Sequence, residues 1–387
     1  MRITQDIKYI GVNDHKIQLF EGLYEVPKGM AYNSYVILDD KIAIFDTVDE
    51  EFAAQWLGQL KETLKGKKPD YLIVQHMEPD HSANILNLLK EYPDVVLVAS
   101  KKAFDMMTHF FGKSFEEQRI VVAQGDRLSL GKHKLEFVEA PLVHWPEVIM
   151  TYDATDKVLF SADGFGKFGA LDVEDDWKEE ARRYYIGIVG KFGMPVQNLL
   201  QKIRAKEVQR ICPLHGPVLS QNLKYYLDLY QTWSSYRPEE EGILIAYASV
   251  YGNTEKAMFY LKEKLKEKGY TKVYLRDLSK TEMTGNVADA FRFDKLVLAS
   301  TTYNGELFPT MREFLNRLRE RNFCRRTVAF VENGSWAPNA TRFMKELLAK
   351  SSELTYLGTE VRIMSVLNQD SAKQLEKLAD ELCETRK

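Results

Sequence analysis

Residues 242–387 alternate regularly between short apolar strands and amphipathic helices, and this order constrains the fold more than any other feature of the chain. The predicted strands are 242–249, 272–278, 295–301, 327–333 and 355–365. The predicted helices are 253–269, 286–292, 310–321, 339–350 and 370–384. Five strand–helix units in succession predict an α/β fold with a parallel, doubly wound sheet.

A polar stretch at 232–242, with Pro238 near its middle, predicts a linker between two domains. A chain of 387 residues has the length for two domains. We place the first at 1–236 and the second at 242–387. The first mixes strands and helices without simple alternation. Residues 32–48 in it predict a hairpin turning at Asp39–Asp40, and residues 177–191 predict a helix. This pattern predicts a layered α/β domain without defining its strand order.

Four potential metal ligands occupy six residues directly after the predicted strand 70–75. They are His76, Glu78, Asp80 and His81. Pro79 prevents a regular helix through the centre of this loop. A rigid strand end can hold alternating side chains toward one point, although a single run of this kind is also typical of a solvated acidic loop.

Three more potential ligands lie beside turn residues at the ends of other predicted strands: His144, Asp163 and His215. A lone histidine beside an apolar strand is more often structural. Seven candidates at strand ends, including four of the seven histidines of the chain, favour a metal site over that reading.

The pattern His-x-Glu-x-Asp-His, with a later His, Asp and His, resembles the metallo-β-lactamase superfamily. Hydrolytic members usually have His at the third motif position. Here that position is Glu78, and the motif with Glu at this position resembles that of the flavodiiron proteins. A carboxylate is a harder ligand than imidazole and favours iron. The resemblance implies an αββα sandwich with two irons per chain. It also implies one iron on His76, Glu78 and His144, the other on Asp80, His81 and His215, and Asp163 as the bridge.

The remaining histidines and two tyrosines are assigned structural roles, while the role of Asp46 stays open. His15, His109 and His133 match no part of the motif and are assigned to surface or packing roles. Asp46 is equally consistent with support of the metal site and with an ordinary strand end. Tyr184 and Tyr185 are assigned to core packing. Gly22 stands where some relatives have a histidine near the metals, which leaves proton delivery open.

Three loops after successive predicted strands of the second domain combine glycine, polar and aromatic residues. The first loop, residues 249–254, joins a strand to a helix N-terminus, where open parallel sheets bind phosphate. It is neither a Walker motif nor GxGxxG, and taken alone it is also consistent with simple helix capping. The other two loops, 302–309 and 332–338, carry an aromatic residue beside glycine, as a planar ring system requires.

These loops resemble those that enclose FMN in flavodoxin. The resemblance implies FMN contacts by Ser249, Val250, Tyr251, Gly252, Asn253, Thr254, Thr301, Thr302, Tyr303, Asn304, Gly305, Asn333, Gly334, Ser335 and Trp336. Tyr251 replaces the Thr common in short-chain flavodoxins and resembles flavodiiron relatives. Trp336 is also consistent with a role at an interface.

Together the motifs indicate a flavodiiron oxidoreductase that reduces dioxygen to water, nitric oxide to nitrous oxide, or both. A diferrous pair and reduced FMN hold two electrons each, enough for either reaction. A zinc hydrolase fused to a flavodoxin module remains an alternative, which Glu78 disfavours. A pure electron carrier and a flavin-dependent signalling module both leave the seven ligands unexplained.

Composition narrows the partners. A net charge of −3 and no apolar run of about 18 residues predict no nucleic-acid or membrane partner and a cytoplasmic location. Three cysteines without a C-x-x-C pair exclude a built-in rubredoxin module, so we expect an external donor such as rubredoxin or a reduced deazaflavin.

The family resemblance implies a head-to-tail homodimer, or a dimer of such dimers, in which the flavin of one chain faces the irons of the other. Residues 242–387 contain 24 Lys and Arg against 19 Asp and Glu, whereas residues 1–241 contain 29 against 37. The opposite signs agree with contact between unlike domains, and they are equally consistent with solubility charge alone.

Overall fold

The computed structural model describes residues 2–384, and the chain divides into two compact units, Met1–Gln231 and Thr232–Lys387. The division falls inside a helix that runs from Leu223 to Ser234, so the first residues of the polar stretch at 232–242 are helical. Each unit has its own sheets and its own apolar core.

The first unit contains fifteen short strands among the described residues. They are β1 Ile7–Tyr9, β2 Val12–Asp14, β3 Leu19–Phe20, β4 Tyr24–Glu25, β5 Met30–Tyr32, β6 Tyr35–Ile37, β7 Ala43–Phe45, β8 Tyr71–Ile73, β9 Val96–Ala99, β10 Arg119–Val121, β11 Arg127–Ser129, β12 Lys134–Glu139, β13 Ile149–Asp153, β14 Val158–Phe160 and β15 Arg210–Cys212. Its α-helices are α1 Ala53–Leu64, α2 Pro79–Ser82, α3 Ile85–Glu91, α4 Lys101–Phe111, α5 Trp177–Tyr184, α6 Gly193–Arg204 and α7 Leu223–Ser234, the last of which crosses into the second unit. Short helical turns add Glu50–Phe52, Glu116–Gln118, Tyr185–Val189 and Gly190–Phe192.

Two sheets form the body of this unit. One has the strand order β1-β6-β7-β8-β9-β10 and the other β11-β12-β13-β14-β15. The antiparallel pairing of β6 with β7 confirms the predicted hairpin. Strands β7 to β10 run parallel, as do β14 and β15, so several carboxyl ends meet at one end of the unit.

The core lies between these two sheets, as the predicted αββα sandwich requires. Ile37 and Phe45 of the first sheet belong to the same buried cluster as Phe137 and Phe160 of the second. The rings of Phe45 and Phe160 stack with centroids 3.9 Å apart. Burial of such side chains stabilises the sandwich by about 1.5–3 kcal/mol each.

The segment 177–191 is predicted as one helix, but its α-helical part ends at Tyr184 and a wider turn, Tyr185–Val189, follows. The hydroxyl of Tyr24 donates to the carbonyl of Gly187 at 2.8 Å. A side chain that bonds to a helix carbonyl disturbs the regular ladder, and a helix widens or kinks at such points.

The second unit is a parallel sheet covered by helices. Its strands are β16 Glu240–Ala248, β17 Val273–Asp277, β18 Phe293–Tyr303, β19 Glu306–Leu307, β20 Thr327–Asn333 and β21 Thr355–Ile363. Its helices are α8 Asn253–Glu267, α9 Met283–Arg292, α10 Pro309–Glu320, α11 Ala340–Leu348 and α12 Gln369–Glu384. The strand order β17-β16-β18-β20-β21 is all parallel, and β19 pairs antiparallel with β18.

This strand order is the flavodoxin-like one, and its switch point lies between β16 and β18. The predicted doubly wound sheet is therefore confirmed. Helix α9 begins three residues before the predicted start at 286, because the Glu282 carboxylate accepts from the backbone N–H groups of Thr284 and Gly285 and caps the helix.

Residues 2–384 include no helix with both the length and the apolar content that a bilayer crossing requires.

Candidate functional site

The seven predicted metal ligands lie on loops at one end of the sandwich, where the structure brings them together. His76 and Glu78 follow β8, Asp80 and His81 lie in α2, His144 lies between β12 and β13, Asp163 follows β14 and His215 follows β15. All seven are buried, and none exposes more than 8% of its surface. Both sheets therefore contribute to one buried centre.

The ligand atoms form two adjacent groups. One group is His76, Glu78, His144 and Asp163, and the other is Asp80, His81 and His215. Within each group the potential ligand atoms lie within 4.8 Å of one another.

Asp163 lies between the groups and turns one oxygen toward each. Its Oδ2 is 3.1 Å from His144 Nε2 and 3.5 Å from His76 Nε2. Its Oδ1 is 3.4 Å from His81 Nε2 and 3.8 Å from His215 Nε2. A carboxylate in this position can bridge two ions.

The spacing of the donor atoms fits metal ions. Ligands about 2.1 Å from one ion are about 3.0–3.4 Å from each other. The Nε2 atoms of His81 and His215 are 3.0 Å apart, and each is 3.3 Å from Asp80 Oδ2. Both carboxylate oxygens of Asp80, and both of Asp163, are buried without a hydrogen-bond partner. Such groups are costly unless a cation compensates them, so the residues present fit a metal pair.

Glu147 holds one metal-facing histidine in place and was missed by the sequence analysis. Its Oε1 accepts from His76 Nδ1 at 2.8 Å and from the backbone N–H of Met77 at 2.9 Å. This bond leaves Nε2 of His76 available for a metal and fixes the ring. The only sequence signal was an acidic residue three positions after His144. His215 has an equivalent anchor, since its Nδ1 donates to the carbonyl oxygen of Ala31 at 2.8 Å.

Asp46 stabilises the backbone at the start of the loop that carries His76 and Glu78. Its Oδ1 accepts from the backbone N–H groups of Gln75 and His76 at 2.7 and 3.2 Å. Asp46 has a φ of 51°, and Leu142 and Ala162, each near a predicted ligand, also have positive φ. Such conformations cost energy in residues other than glycine and cluster at functional sites.

The charges of the centre are strongly coupled. Burial raises the pKa of Glu78, but hydrogen bonds from His144 and His76 outweigh burial and hold that pKa below its ordinary value. Burial raises the pKa of Asp80 to about 7. The pKa of His144 rises to about 9, because Asp163 and Glu78 outweigh the opposing effect of burial. A group of carboxylates and imidazoles with such opposed shifts is typical of a functional site.

Two further residues, Tyr184 and Glu21, lie near the centre. Tyr184, assigned to core packing, is fully buried with its ring centroid 5.6 Å from that of His215, and its hydroxyl has no hydrogen-bond partner. Glu21, which the analysis did not consider, lies between β3 and β4 next to Gly22. Glu21 is an exposed residue, but partial desolvation of its carboxyl group and repulsion from Glu78 raise the pKa of Glu21 to about 8.

The other histidines lie elsewhere. His15 and His109 are exposed. His133 is buried and forms a third cluster with Asp153 and Asp156. Its Nδ1 is 2.8 Å from Asp153 and its Nε2 is 3.3 Å from Asp6. With both ring nitrogens facing carboxylates, His133 serves as a structural ion-pair partner.

The predicted flavin loops surround a pocket of about 390 Å³ in the second unit. The pocket is lined by all predicted FMN contacts except Gly252, and additionally by Ala337, Asn339 and Ser365. Its volume lies in the range of small-molecule sites. It opens at the carboxyl ends of β16, β18 and β20, at the switch point of the sheet.

The first loop fits a phosphate group. Gly252 has a φ of 82°, a conformation that favours glycine, and it precedes the N-terminus of α8. Free N–H groups at that terminus attract an anion, and no Lys or Arg lines the pocket. Asn333 links the loops, because its Nδ2 donates to Thr254 Oγ1 at 3.3 Å and to the carbonyl of Ser365 at 3.1 Å.

Two exposed aromatic rings stand at this pocket. Tyr251 is 90% exposed and Trp336 is 82% exposed. Aromatic side chains at such exposure are unusual unless a ligand or partner covers them. A flat ring system fits between them and the polar loops, so the pocket fits FMN.

The fold and the two sites define a class of protein: a metallo-β-lactamase-like domain with a two-metal centre, joined to a flavodoxin-like domain. Family models agree. Residues 30–216 match the ODP family beta lactamase model, and residues 244–366 match a flavodoxin domain model.

Three known proteins show similarity over most of the chain. A nitric oxide reductase of Moorella thermoacetica is 30% identical over 365 residues, which cover 89% of this chain and 88% of the relative. An anaerobic nitric oxide reductase flavorubredoxin of Vibrio vulnificus is 28% identical over 87% of this chain and 70% of its own. A variant of a flavo di-iron protein from Thermotoga maritima is 25% identical, with a TM-score of 0.88 over 98% of this chain and 96% of that one.

The chain belongs to the flavodiiron proteins, oxidoreductases that pair FMN with two non-haem irons. The resemblance drawn from the sequence motifs is confirmed.

Proposed function

We propose that the protein reduces dioxygen, nitric oxide or both at its iron pair, with FMN as the immediate electron source. One observation carries the proposal: seven buried side chains that could ligate metal converge at one end of the sandwich, and the carboxylate oxygens of Asp80 and Asp163 have no hydrogen-bond partner within residues 2–384. The relatives named as nitric oxide reductases support the nitric oxide reaction.

We assign the irons to the two groups of side chains. His76, Glu78 and His144 would hold one iron, Asp80, His81 and His215 would hold the other, and Asp163 would be shared between them. The orientation of Asp163 supports this assignment, because each of its two carboxylate oxygens faces the nitrogen atoms of a different group. Three protein ligands and a shared carboxylate leave coordination positions for a gas molecule.

When bound, the irons and FMN supply the electrons and the open coordination positions. The chain supplies the geometry. Glu147 keeps the Nε2 atom of His76 directed at the centre, and Asp46 holds the backbone of the ligand loop. The surrounding buried rings of Phe20 and Tyr184 pack against His215 and limit the entry of water.

We propose that FMN occupies the pocket of the second unit, with its phosphate on 249–254 and its ring between the loops at 301–305 and 333–336. The exposed rings of Tyr251 and Trp336 support this placement, because a flat flavin ring covers them. The neutral phosphate loop offers hydroxyls, an amide and backbone N–H groups.

We further propose an external donor such as rubredoxin or a reduced deazaflavin, and a head-to-tail homodimer in the cytoplasm. Exposed apolar side chains near each site support the dimer: Leu23 lies in the loop that also carries Glu21, Leu142 lies in the loop that precedes His144, and Val250 and Trp336 line the flavin pocket. Reduced buried thiols at Cys212 and Cys324 fit a cytoplasmic location.

Stopped-flow oxidation of the anaerobically reduced protein by each gas separately tests the proposed reaction. We expect at least one gas to oxidise the flavin much faster than it does in the Asp163→Ala variant. Equal rates in the two proteins for both gases contradict the proposal, because they show that oxidation bypasses the metal centre.

A further inference from the structure

A basic groove lies in the first unit, lined by Arg2, Lys8, Tyr9, Leu38, Thr63, Leu64, Lys65 and Lys67. Its volume is about 440 Å³, within the range of small-molecule sites. None of its lining residues belongs to the metal centre or to the flavin pocket.

The charge of the groove is unlike that of the unit around it. Residues 1–241 carry 29 Lys and Arg against 37 Asp and Glu, yet four cations and no acidic side chain line this groove. Among the described residues, Arg2, Lys8, Lys65 and Lys67 form no ion pair, whereas neighbouring Lys61 and Lys68 pair with Glu91 and Asp94. The groove therefore brings together four cations that have no ion-pair partner in the described part of the chain.

The backbone places two of these cations in opposition. Arg2 and Lys8 are direct partners in an antiparallel bridge. Like charges directly opposite each other across such a bridge destabilise it. Each head group donates to one backbone carbonyl, Arg2 to Thr4 at 2.9 Å and Lys8 to Gln5 at 2.6 Å, and keeps further donors for a ligand.

The other two cations come from the end of α1. Lys65 is its C-terminal cap, and a cation at this position stabilises the helix by interacting with its dipole. That effect explains a lysine at the helix end but not the facing pair on the N-terminal segment. Leu38, Leu64 and the ring of Tyr9 provide apolar surface between the charges.

We propose that this groove binds an organic oligophosphate, with the phosphates on Arg2, Lys8, Lys65 and Lys67 and an apolar or aromatic group against Tyr9, Leu38 and Leu64. Several phosphate charges in one ligand relieve the opposition of Arg2 and Lys8 and engage both sides of the groove. An inorganic oligophosphate shares the charged half of this chemistry, and the experiment separates the two.

The test uses the full-length protein loaded with FMN and iron, so that the flavin pocket is filled. Isothermal titration calorimetry compares ATP with inorganic tripolyphosphate, both without magnesium. The test variant is Lys65→Gln with Lys67→Gln. The matched control is Lys68→Gln, in the same lysine run but outside the groove and already paired with Asp94.

We expect saturable binding of ATP that weakens about tenfold or more in the double variant and is unchanged in Lys68→Gln. Tighter binding of ATP than of tripolyphosphate confirms that the apolar surface of Tyr9, Leu38 and Leu64 contributes to binding. Equal affinity overturns the organic part of the proposal and leaves an inorganic oligophosphate site. Absence of saturable binding at millimolar ATP, or equal loss in the Lys68→Gln control, overturns the site itself. A Lys8→Gln variant provides a second check, since the same loss is expected from the opposite side of the groove.

Discussion

The metal centre and the flavin pocket both lie at the carboxyl ends of strands, yet they are built in opposite ways. The seven proposed metal ligands are buried, and the neighbouring Glu147 and Asp46 hold His76 and its loop in place. The flavin pocket presents Tyr251 and Trp336 almost fully exposed. The fold therefore preorganises the first site around charges that need a cation, whereas the ligand itself completes the second. Variants at the two sites are therefore expected to have separable effects.

The largest effect is expected from Asp163→Ala, because this carboxylate faces both groups of ligands. Iron content falls for both positions and gas reduction falls by more than a hundredfold, while FMN stays bound. Elemental analysis, flavin release and turnover measure the three quantities. Asp172→Asn, an exposed aspartate paired with His15, is the control. Loss of FMN together with iron in Asp163→Ala contradicts the separation of the two sites.

Glu147→Gln tests the preorganisation of the metal centre without removing a ligand. Since Glu147 orients His76, we expect iron affinity or turnover to fall about 10–100-fold. Competition with a chelator measures the affinity. The exposed Glu117→Gln serves as the comparison variant. Wild-type affinity in Glu147→Gln shows that the ligand positions do not depend on this neighbour.

Trp336→Ala tests the open construction of the flavin pocket. The side chain is 82% exposed, so its removal changes folding stability by no more than about 0.5 kcal/mol. We expect FMN affinity to weaken about three- to tenfold, as loss of one aromatic contact predicts. Fluorescence titration of the apoprotein measures it, and Trp336→Phe is expected to restore most of the affinity. Unchanged FMN affinity in Trp336→Ala excludes ring contact by this residue.

The smallest effect is expected on stability, from the cluster of His133, Asp153 and Asp156, which lies outside both sites. Burial lowers the pKa of His133, but hydrogen bonds with Asp153 and Asp6 outweigh burial and raise it above the ordinary value. The ion pairs therefore stabilise the fold fully below the ordinary pKa of histidine and lose that effect as pH rises through the raised value.

We expect the thermal stability of the wild type, relative to His133→Gln, to fall with rising pH by on the order of 1 kcal/mol. The exposed His15→Gln is the control, and iron content is expected to stay constant in both. A pH dependence that is identical in the wild type and His133→Gln contradicts this assignment.

The sequence predicted the second unit better than the first, for a physical reason. Alternating strands and helices with turn residues at each end determine a parallel sheet, and the predicted strand–helix units were found. The first unit required the pairing of distant strands, such as β1 with β6, which no local pattern reveals. Its helix at 177–191 ended early because Tyr24, distant in sequence, bonds to Gly187.

The same distinction applies to the metal centre. The sequence predicts His76, Glu78, Asp80 and His81 as ligands because they share one loop with recognisable spacing, and the structure brings them together. Glu147 and Glu21 were missed, because their importance depends on tertiary contacts with His76 and Glu78. Ser365 was missed at the flavin pocket, since it follows β21 and reaches the pocket only when that strand pairs beside β20.

We propose that the seven buried side chains of the first unit hold two irons and that the second unit binds one FMN. Elemental and flavin analysis of anaerobically purified full-length protein tests it most directly. The account predicts about two irons and one FMN per chain, with the irons lost and the FMN retained in Asp163→Ala. Two zinc ions per chain, with no gas reduction after reconstitution with iron, contradict it.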